Sequence, residues 1–562
     1  MKKIFFLLFV MGAVLPTTAQ QNCDITKQKP IELLSAQLKR SFKVLQKQNP
    51  PIYYLSYTYT EQETIALSAQ DGALSREQVS QESFVQVFPR AGSPRMDNTR
   101  TLKKDRTYYT LTNVDVPRWQ EDPHAFTTAV WNATEQAVKD AQQDFNRVKA
   151  DTQTASARAD NSPDFTFPPQ ETFCREEKPL HFDVEPIKKL LVKASRLTTN
   201  KPFVLESEFS FSMQNARRYF VDSVGTRLKY PVRLARLHYT ISGQSADGAN
   251  FVRAGFYDVL DSTQLPSEEK LLADVTQSIR ELEALSKAPE AQPATVPAIL
   301  KNRAMAVFVH EVLGHRVEGH RQKEDAFGKT FTDKMGQQVV SPLLTIIDDA
   351  TLPSFNHIPL RGFYYYDDEG VQARPVVLVE NGVLKNFLMS SSPVKGFAAS
   401  NGHGRGAEGK RPVARMGNTR VLASQTTSYE QLEQQLLEEI RKQRAPYGVI
   451  IEDLSGGFTI TQTSFPQAFK LTPTLMYRMY PDGRKELVRG VDMVGTPLVS
   501  FKEIIAAADD YDVFNGSCGA ESGWVPVSGI VPSVLLRRLE LEKTGKAESK
   551  PPLLPPPFAE GK

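Results

Sequence analysis

Three of the eight histidines in this 562-residue chain fall inside one run, His310-Glu311-Val312-Leu313-Gly314-His315-Arg316-Val317-Glu318-Gly319-His320. Imidazoles bind metals and move protons near neutral pH, so such clustering points to chemistry. A zinc peptidase helix carries two histidines at i and i+4, roughly 40° apart around the axis, with a glutamate beside the first as general base. Here His310 and His315 stand at i and i+5. On a regular helix that spacing sets them roughly 140° apart, too far for both rings to meet one ion at the ~2.0 Å that zinc requires. A π-bulge would bring i and i+5 onto one face, and Gly314 tolerates that distortion. The competing reading is a set of ordinary helical histidines, with Glu311 and His315 as a plain i, i+4 pair.

Two histidines leave a zinc site one protein ligand short. The chain has three cysteines, Cys23, Cys174 and Cys518, so in an oxidising compartment one thiol is left over. Cys518 lies between glycines in Asn515-Gly516-Ser517-Cys518-Gly519, where backbone can approach closely. A thiolate there completes a His, His, Cys set with one open position, the ligand count of a catalytic zinc site. Cys23 and Cys174 can then pair with each other, a split that depends on the site.

The run from Val309 to Gly319 resembles the HExxxH helix of the TldD/PmbA family of zinc metallopeptidases. The resemblance continues in order through Ile347-Asp348-Asp349, Asp367-Asp368-Glu369-Gly370, Val379-Glu380-Asn381-Gly382-Val383-Leu384, Arg415-Met416-Gly417-Asn418-Thr419 and Cys518-Gly519, then Val525-Pro526-Val527 and Gly529. It covers about residues 300 to 540 by motif and the amino-terminal half by layout. It implies one Zn2+ per chain held by His310, His315 and Cys518, with Glu311 as catalytic base. It also implies an unfolded or short peptide as substrate, added as an extended strand, and a homodimer or a heterodimer with a related family member. His320 stands where the family usually shows an acidic residue, and Gly519-Ala520-Glu521-Ser522-Gly523 departs from the usual Lys- and Gln-bearing continuation. Both departures bear on substrate preference.

The expected chemistry is hydrolysis of a peptide bond, with Glu311 taking a proton from water and passing it to the leaving amine. Glu318 is expected to support a ligating histidine from behind. Arg415 is a candidate for oxyanion help, with pairing to Asp367, Asp368 or Glu369 the preferred structural reading. His403, in Asn401-Gly402-His403-Gly404-Arg405-Gly406, either lines the cleft or, preferably, sits on a mobile surface loop. Two other classes remain open: a catalytically silent peptide-binding or assembly subunit, and an exported redox or metal-storage protein using Cys518.

The elements that must position these groups read as an α+β chain. Residues 20–288 form an amino-terminal mixed α/β domain with an antiparallel sheet, and residues 299–544 a mostly β catalytic domain carrying the zinc-binding helix. Apolar spacing predicts helices over Ile31 to Leu45, Ala129 to Val148 and Glu268 to Lys287. It predicts separate strands at Tyr53 to Thr60 and from Ile65, a turn at Asp71-Gly72, and further strands at Val204 to Met213, Tyr219 to Asp222 and Leu237 to Ile241. Pro289, Pro293 and Pro297 mark 289–298 as a linker. Beyond it come a helix through residue 320 and short strands that include Phe387 to Met389. Ser428 and Gln431 supply a capping box for one further helix. The proline-rich tail 545–562 is expected to be disordered.

Met1-Lys2-Lys3, an apolar run from Ile4 to Val10 and small residues up to Ala19 read as a signal peptide over 1–19, hence an exported, periplasmic or secreted, soluble protein. Gln20-Gln21-Asn22 before Cys23 argues against lipid anchoring, and no run reaches the ~20 residues of a membrane span. With 40% hydrophobic and 24% charged residues the chain is globular, and 68 basic against 65 acidic side chains give a net charge of +3. That balance excludes electrostatically driven nucleic-acid binding.

Overall fold

The computed structural model describes residues 21–101, 110–154, 160–245, 247–323, 329–459 and 468–545. The expected signal peptide lies outside them, as does the expected disordered tail from residue 546 onward.

The amino-terminal half is built on long antiparallel strands. Helix α1 (Lys29–Leu45) precedes β1 (Ile52–Gln70), which turns at Asp71-Gly72 into β2 (Ala73–Ser93). A short β3 (Thr112–Asp115), α2 (Pro123–Thr154), β4 (Thr172–Glu176) and α3 (Val184–Ser195) follow. Then come β5 (Val204–Asp222), β6 (Arg227–Gln244), β7 (Asn250–Asp258) and α4 (Glu268–Lys287). The sheet runs β4-β6-β5-β1-β2, with β3 on the outer edge of β2 and β7 on β6. Where the sequence reads as two strands on either side of residue 61, β1 is continuous; β5 likewise joins the stretches before and after residue 214. The polar middles of these strands, such as Glu61-Gln62-Glu63 opposite Arg217-Ala216-Asn215, are held by ladder pairing on both sides, which local apolar patterning cannot register.

Alternation puts the odd-numbered residues of β1 and β5 on one face. Tyr57, Tyr59, Tyr219 and Val221 meet α1 and α2, and farther along Leu67, Ala69, Phe209 and Phe211 meet α3 and α4. The opposite face sends Phe220, Leu228 and Tyr230 onto Tyr366 of the second half. Cys23 and Cys174 form a disulfide that ties the segment before α1 to β4, so the Cys23 sulfur is already committed.

The 289–298 linker is corrected by β8 (Ala294–Leu300), a buried strand. It pairs in parallel with β12 (Gly448–Thr459) and antiparallel with β19 (Val534–Lys543). Pro297 fits because the register with β19 shifts between Val296 and Ala298, a bulge that spares the missing N–H. With β13 (Phe469–Met479) and β15 (Val491–Gly495) these strands close a ring in the order β8-β12-β13-β15-β19. Closure places Ala298, Leu300, Val449, Ile451, Leu471 and Met493 in one core. β14 (Lys485–Val488) flanks β13, and β16 (Ile504–Ala507) flanks β19.

A further sheet combines β9 (Leu344–Asp348), β10 (Val376–Glu380), β11 (Asn418–Ala423), β17 (Asp512–Ala520) and β18 (Gly523–Val531) in the order β10-β9-β11-β18-β17. Helix α5 (Asn302–Val312) is packed between this sheet and the ring, and α6 (Tyr429–Lys442) carries the expected capping box of Ser428 and Gln431. Phe387 to Met389 forms no strand; Leu388 makes only an isolated bridge to Glu318. The α+β class stands, with an antiparallel sheet in the amino-terminal half and a β-rich carboxy-terminal half.

Candidate metal centre

Helix α5 is apolar on nearly all sides, with Ala304 to Val309 and Val312 buried, so it forms a core helix and not a surface one. Phe308 packs against Phe469 and Phe501 at ring-centroid separations of 5.6 and 4.8 Å. Gly529 of β18 lets the sheet come close, since a Cβ there would lie 3.0 Å from that of Ala306. His310 is thereby held in the last turn of a rigid element, where the carbonyl end of the helix dipole favours a cation.

The helix does not run to residue 320 and has no π-bulge. It ends at Val312, and Gly314–Arg316 forms a 3-10 turn that swings His315 back towards His310. The two rings sit 4.9 Å apart at an interplanar angle of 84°. Gly314 is needed for contact: a Cβ there would stand 2.0 Å from the Met416 sulfur.

Cys518 arrives from the β17–β18 hairpin, paired in register with Val525, and points to the side on which α5 lies. Its Sγ is 3.0 Å from His310 Nε2 and 3.4 Å from His315 Nε2, and the three ligand atoms lie within 4.8 Å of one another. Ligand atoms of a tetrahedral zinc with two N and one S are roughly 3.5 Å apart, so the donor set and its spacing fit that ion. Burial disfavours a thiolate, but the His310 and His315 imidazoles hold the Cys518 thiol well below the usual range. Burial likewise opposes charging of His315, yet Cys518 and then Glu318 push it up to about 10. These three residues form a group able to hold a metal ion.

Glu318 is fully buried. Its Oε2 lies 3.1 Å from His315 Nδ1 and accepts from Arg321 Nε at 2.8 Å. Burial raises its carboxyl, but His315 and Arg321 bring it down to about 2. Arg415 does not pair with Asp367, Asp368 or Glu369. Its Nε faces Glu318 Oε1 at 3.4 Å, its NH2 group donates to the Cys518 carbonyl at 2.6 Å, and its NH1 group donates to Ser522 Oγ at 2.8 Å. Asp367 instead collects the backbone N–H groups of Glu369, Val371 and Gly404, which makes it a loop anchor. His403 is neither on the surface nor in the cleft. It is fully buried, with Nε2 3.1 Å from Asp348 Oδ1, and its carbonyl accepts from the Arg415 N–H. Asp348 also accepts from the Gly417 N–H and Thr419 Oγ1, so this pair fastens the segment that carries Arg415 and Met416 into β11.

Glu311 is half-buried, and its side-chain stem lies against Gly457 of β12, where a Cβ would come within 2.3 Å of Glu311 Cγ. Arg321 and Glu521 escaped the sequence reading. Arg321 NH2 donates to Glu521 Oε2 at 2.7 Å, and His320 Nε2 bonds Glu521 Oε1, which pins the tip of the cysteine hairpin to the short helix His320–Lys323. About 200 residues separate these partners, and the only local signal was the departure of His320 and Glu521 from the family pattern.

Residues 293–543 match the family described as the PmbA/TldA metallopeptidase C-terminal domain. A metalloprotease of Archaeoglobus fulgidus is 31% identical over 322 residues, covering 56% of this chain and 68% of that protein. The chain belongs to the TldD/PmbA metallopeptidase family. A protein of Saccharolobus solfataricus named a zinc metalloprotease TldD homolog is 26% identical over 252 residues, 44% of this chain and 51% of its own length. The crystal structure of TldE from Thermococcus kodakarensis superposes with a TM-score of 0.62 at 16% identity, covering 90% of this TldD/PmbA member and all of that chain, a likeness of fold. These relatives support protease, metalloprotease and the family. The signal-peptide and periplasmic labels are corrected: nothing in the relatives' names carries export, and residues 1–20 lie outside the described residues. Among the described residues no helix is long and apolar enough to cross a membrane.

Proposed function

We propose that the chain is a zinc-dependent metallopeptidase acting on unfolded or short peptides, with His310, His315 and Cys518 as the metal ligands and Glu311 as general base. The convergence of two imidazole nitrogens and one thiolate within 4.8 Å carries the reading, because N, N, S donors with no fourth protein ligand grouped with them among the described residues leave a position for water or substrate. A zinc ion bound there supplies Lewis-acid activation of water and of the scissile carbonyl. Glu311, next to His310 on a rigid helix end, takes the proton from the attacking water and delivers it to the departing amine. Cys518, drawn into the thiolate form by its two imidazole neighbours, serves as a ligand and not as a nucleophile.

The reading includes assembly with a second copy or a related chain, as the family resemblance implies. The test is metal analysis of the purified chain together with digestion of one protein in native and unfolded forms, with and without a chelator. One zinc per chain and chelator-sensitive cleavage of the unfolded form are expected. Stoichiometric zinc without turnover would favour the peptide-binding or assembly subunit.

A further inference from the structure

Along its inner edge β2 pairs with β1 without interruption from Arg76 to Ser83, but β3 covers its outer edge only from Phe84 to Val87. Among the described residues no strand lies against the outer edge between Arg76 and Glu82. These residues are exposed apart from the half-buried Ser80, and Val79 is 59% exposed. The Val116 N–H donates to the Ser83 carbonyl at 2.9 Å, so that carbonyl points away from β1. By the two-residue alternation of a regular strand, the N–H and C=O groups of Glu77, Val79 and Gln81 point outward as well.

An open edge of this kind is a template for another strand, and proteins usually blunt it with Pro, Lys or a bulge. The stretch Arg76-Glu77-Gln78-Val79-Ser80-Gln81-Glu82 has no Pro or Lys, and the nearest register shift lies beyond it, between Arg76 and Leu74. Glu77 is engaged by Lys188. Arg76 has only Gln78 as a side-chain partner and Glu82 only Gln62, so among the described residues neither has an ion-pair partner.

We propose that this edge pairs antiparallel with the same edge of a second copy, about a twofold axis at Val79, to continue the sheet across a homodimer. Opposed residues in such a pair lie on one face, so the axis must pass through a residue. Centred on Val79, the register sets Arg76 opposite the partner's Glu82, Glu82 opposite the partner's Arg76, and Val79 against the partner's Val79. The outward backbone groups of Glu77 then meet those of the partner's Gln81. Centring on Glu77 would oppose two glutamates, centring on Gln78 would set Glu82 against the partner's Leu74, and centring on Ser80 would direct Arg76 to the partner's Phe84, already paired with β3. A strand pair this short falls below the roughly 1,200 Å² of a standard interface, so micromolar association is expected.

This rests on, and gives a surface to, the assembly reading above. The test is sedimentation equilibrium of the full chain, with zinc content and peptide cleavage read on the same samples to separate this register from the metallopeptidase reading. Arg76→Glu and Glu82→Arg should each weaken the dimer at least about tenfold, and the double variant should restore it. Val79→Pro removes an outward N–H that β1 does not use, so it should abolish association while circular dichroism stays unchanged. A monomeric wild type, a dimer unmoved by the single reversals, or a double variant no tighter than the singles would overturn the register.

Discussion

Arg415 reaches both halves of the candidate metal centre: one guanidinium nitrogen donates to the Cys518 carbonyl at 2.6 Å, and another faces Glu318 Oε1 at 3.4 Å. Glu318 in turn bonds His315 Nδ1, so one planar fork sets the relative position of two of the proposed ligands. Lysine keeps the charge without the fork. Arg415→Lys should therefore lower zinc affinity roughly 10–100-fold, read by competition with a chromophoric chelator. Unchanged affinity would reduce Arg415 to a general brace of the fold.

Cys518→Ser replaces the proposed soft anionic ligand by a neutral hydroxyl at the same place. Most of the metal should be lost on dialysis, while near-ultraviolet circular dichroism stays close to that of the parent. Wild-type zinc occupancy in this variant would remove Cys518 from the ligand set.

Glu311→Gln separates binding from chemistry. The amide cannot accept the proton, so hydrolysis should fall by about 10² or more while zinc remains bound. Loss of metal together with activity would make Glu311 a ligand and defeat the mechanism.

Gly314→Ala tests why the histidine turn requires glycine. The new methyl would occupy the place of the Met416 sulfur, so overpacking should cost about 1–3 kcal/mol and shift His315 away from His310. Adding Met416→Ala relieves the clash, and calorimetry with zinc titration should show partial recovery of both stability and metal affinity. No recovery would mean that the turn itself, and not the contact, demands glycine.

The Cys23–Cys174 disulfide closes a loop of 151 residues between the segment before α1 and β4. Replacing both cysteines by serine should lower stability by about 2–5 kcal/mol in denaturant unfolding, with zinc binding retained because Cys518 is untouched. A large loss of zinc would show that the amino-terminal sheet supports the metal centre more directly.

The sequence by itself determined what depends on near neighbours and on residue chemistry. The capping box of α6 and the limits of α4 follow from side chains within one or two turns, and both are found where expected. The histidine run and the glycine-flanked Cys518 were legible as candidate donors because few residue types can bind zinc, and the structure brings their ligand atoms within 4.8 Å of one another. Tertiary structure alone decided how the spacing of five is bridged, because that depends on Met416 pressing on Gly314 from a segment about a hundred residues away. It alone turned the proline-rich 289–298 segment into a strand, since only the ring with β12 and β19 offers Ala294–Leu300 its partners. It buried His403 against Asp348, gave Arg415 to Glu318 and Cys518, and gave Arg321 to Glu521. Such pairings join groups 55 to 200 residues apart, so they depend on the order in which strands lie side by side, a property that no local window of sequence contains.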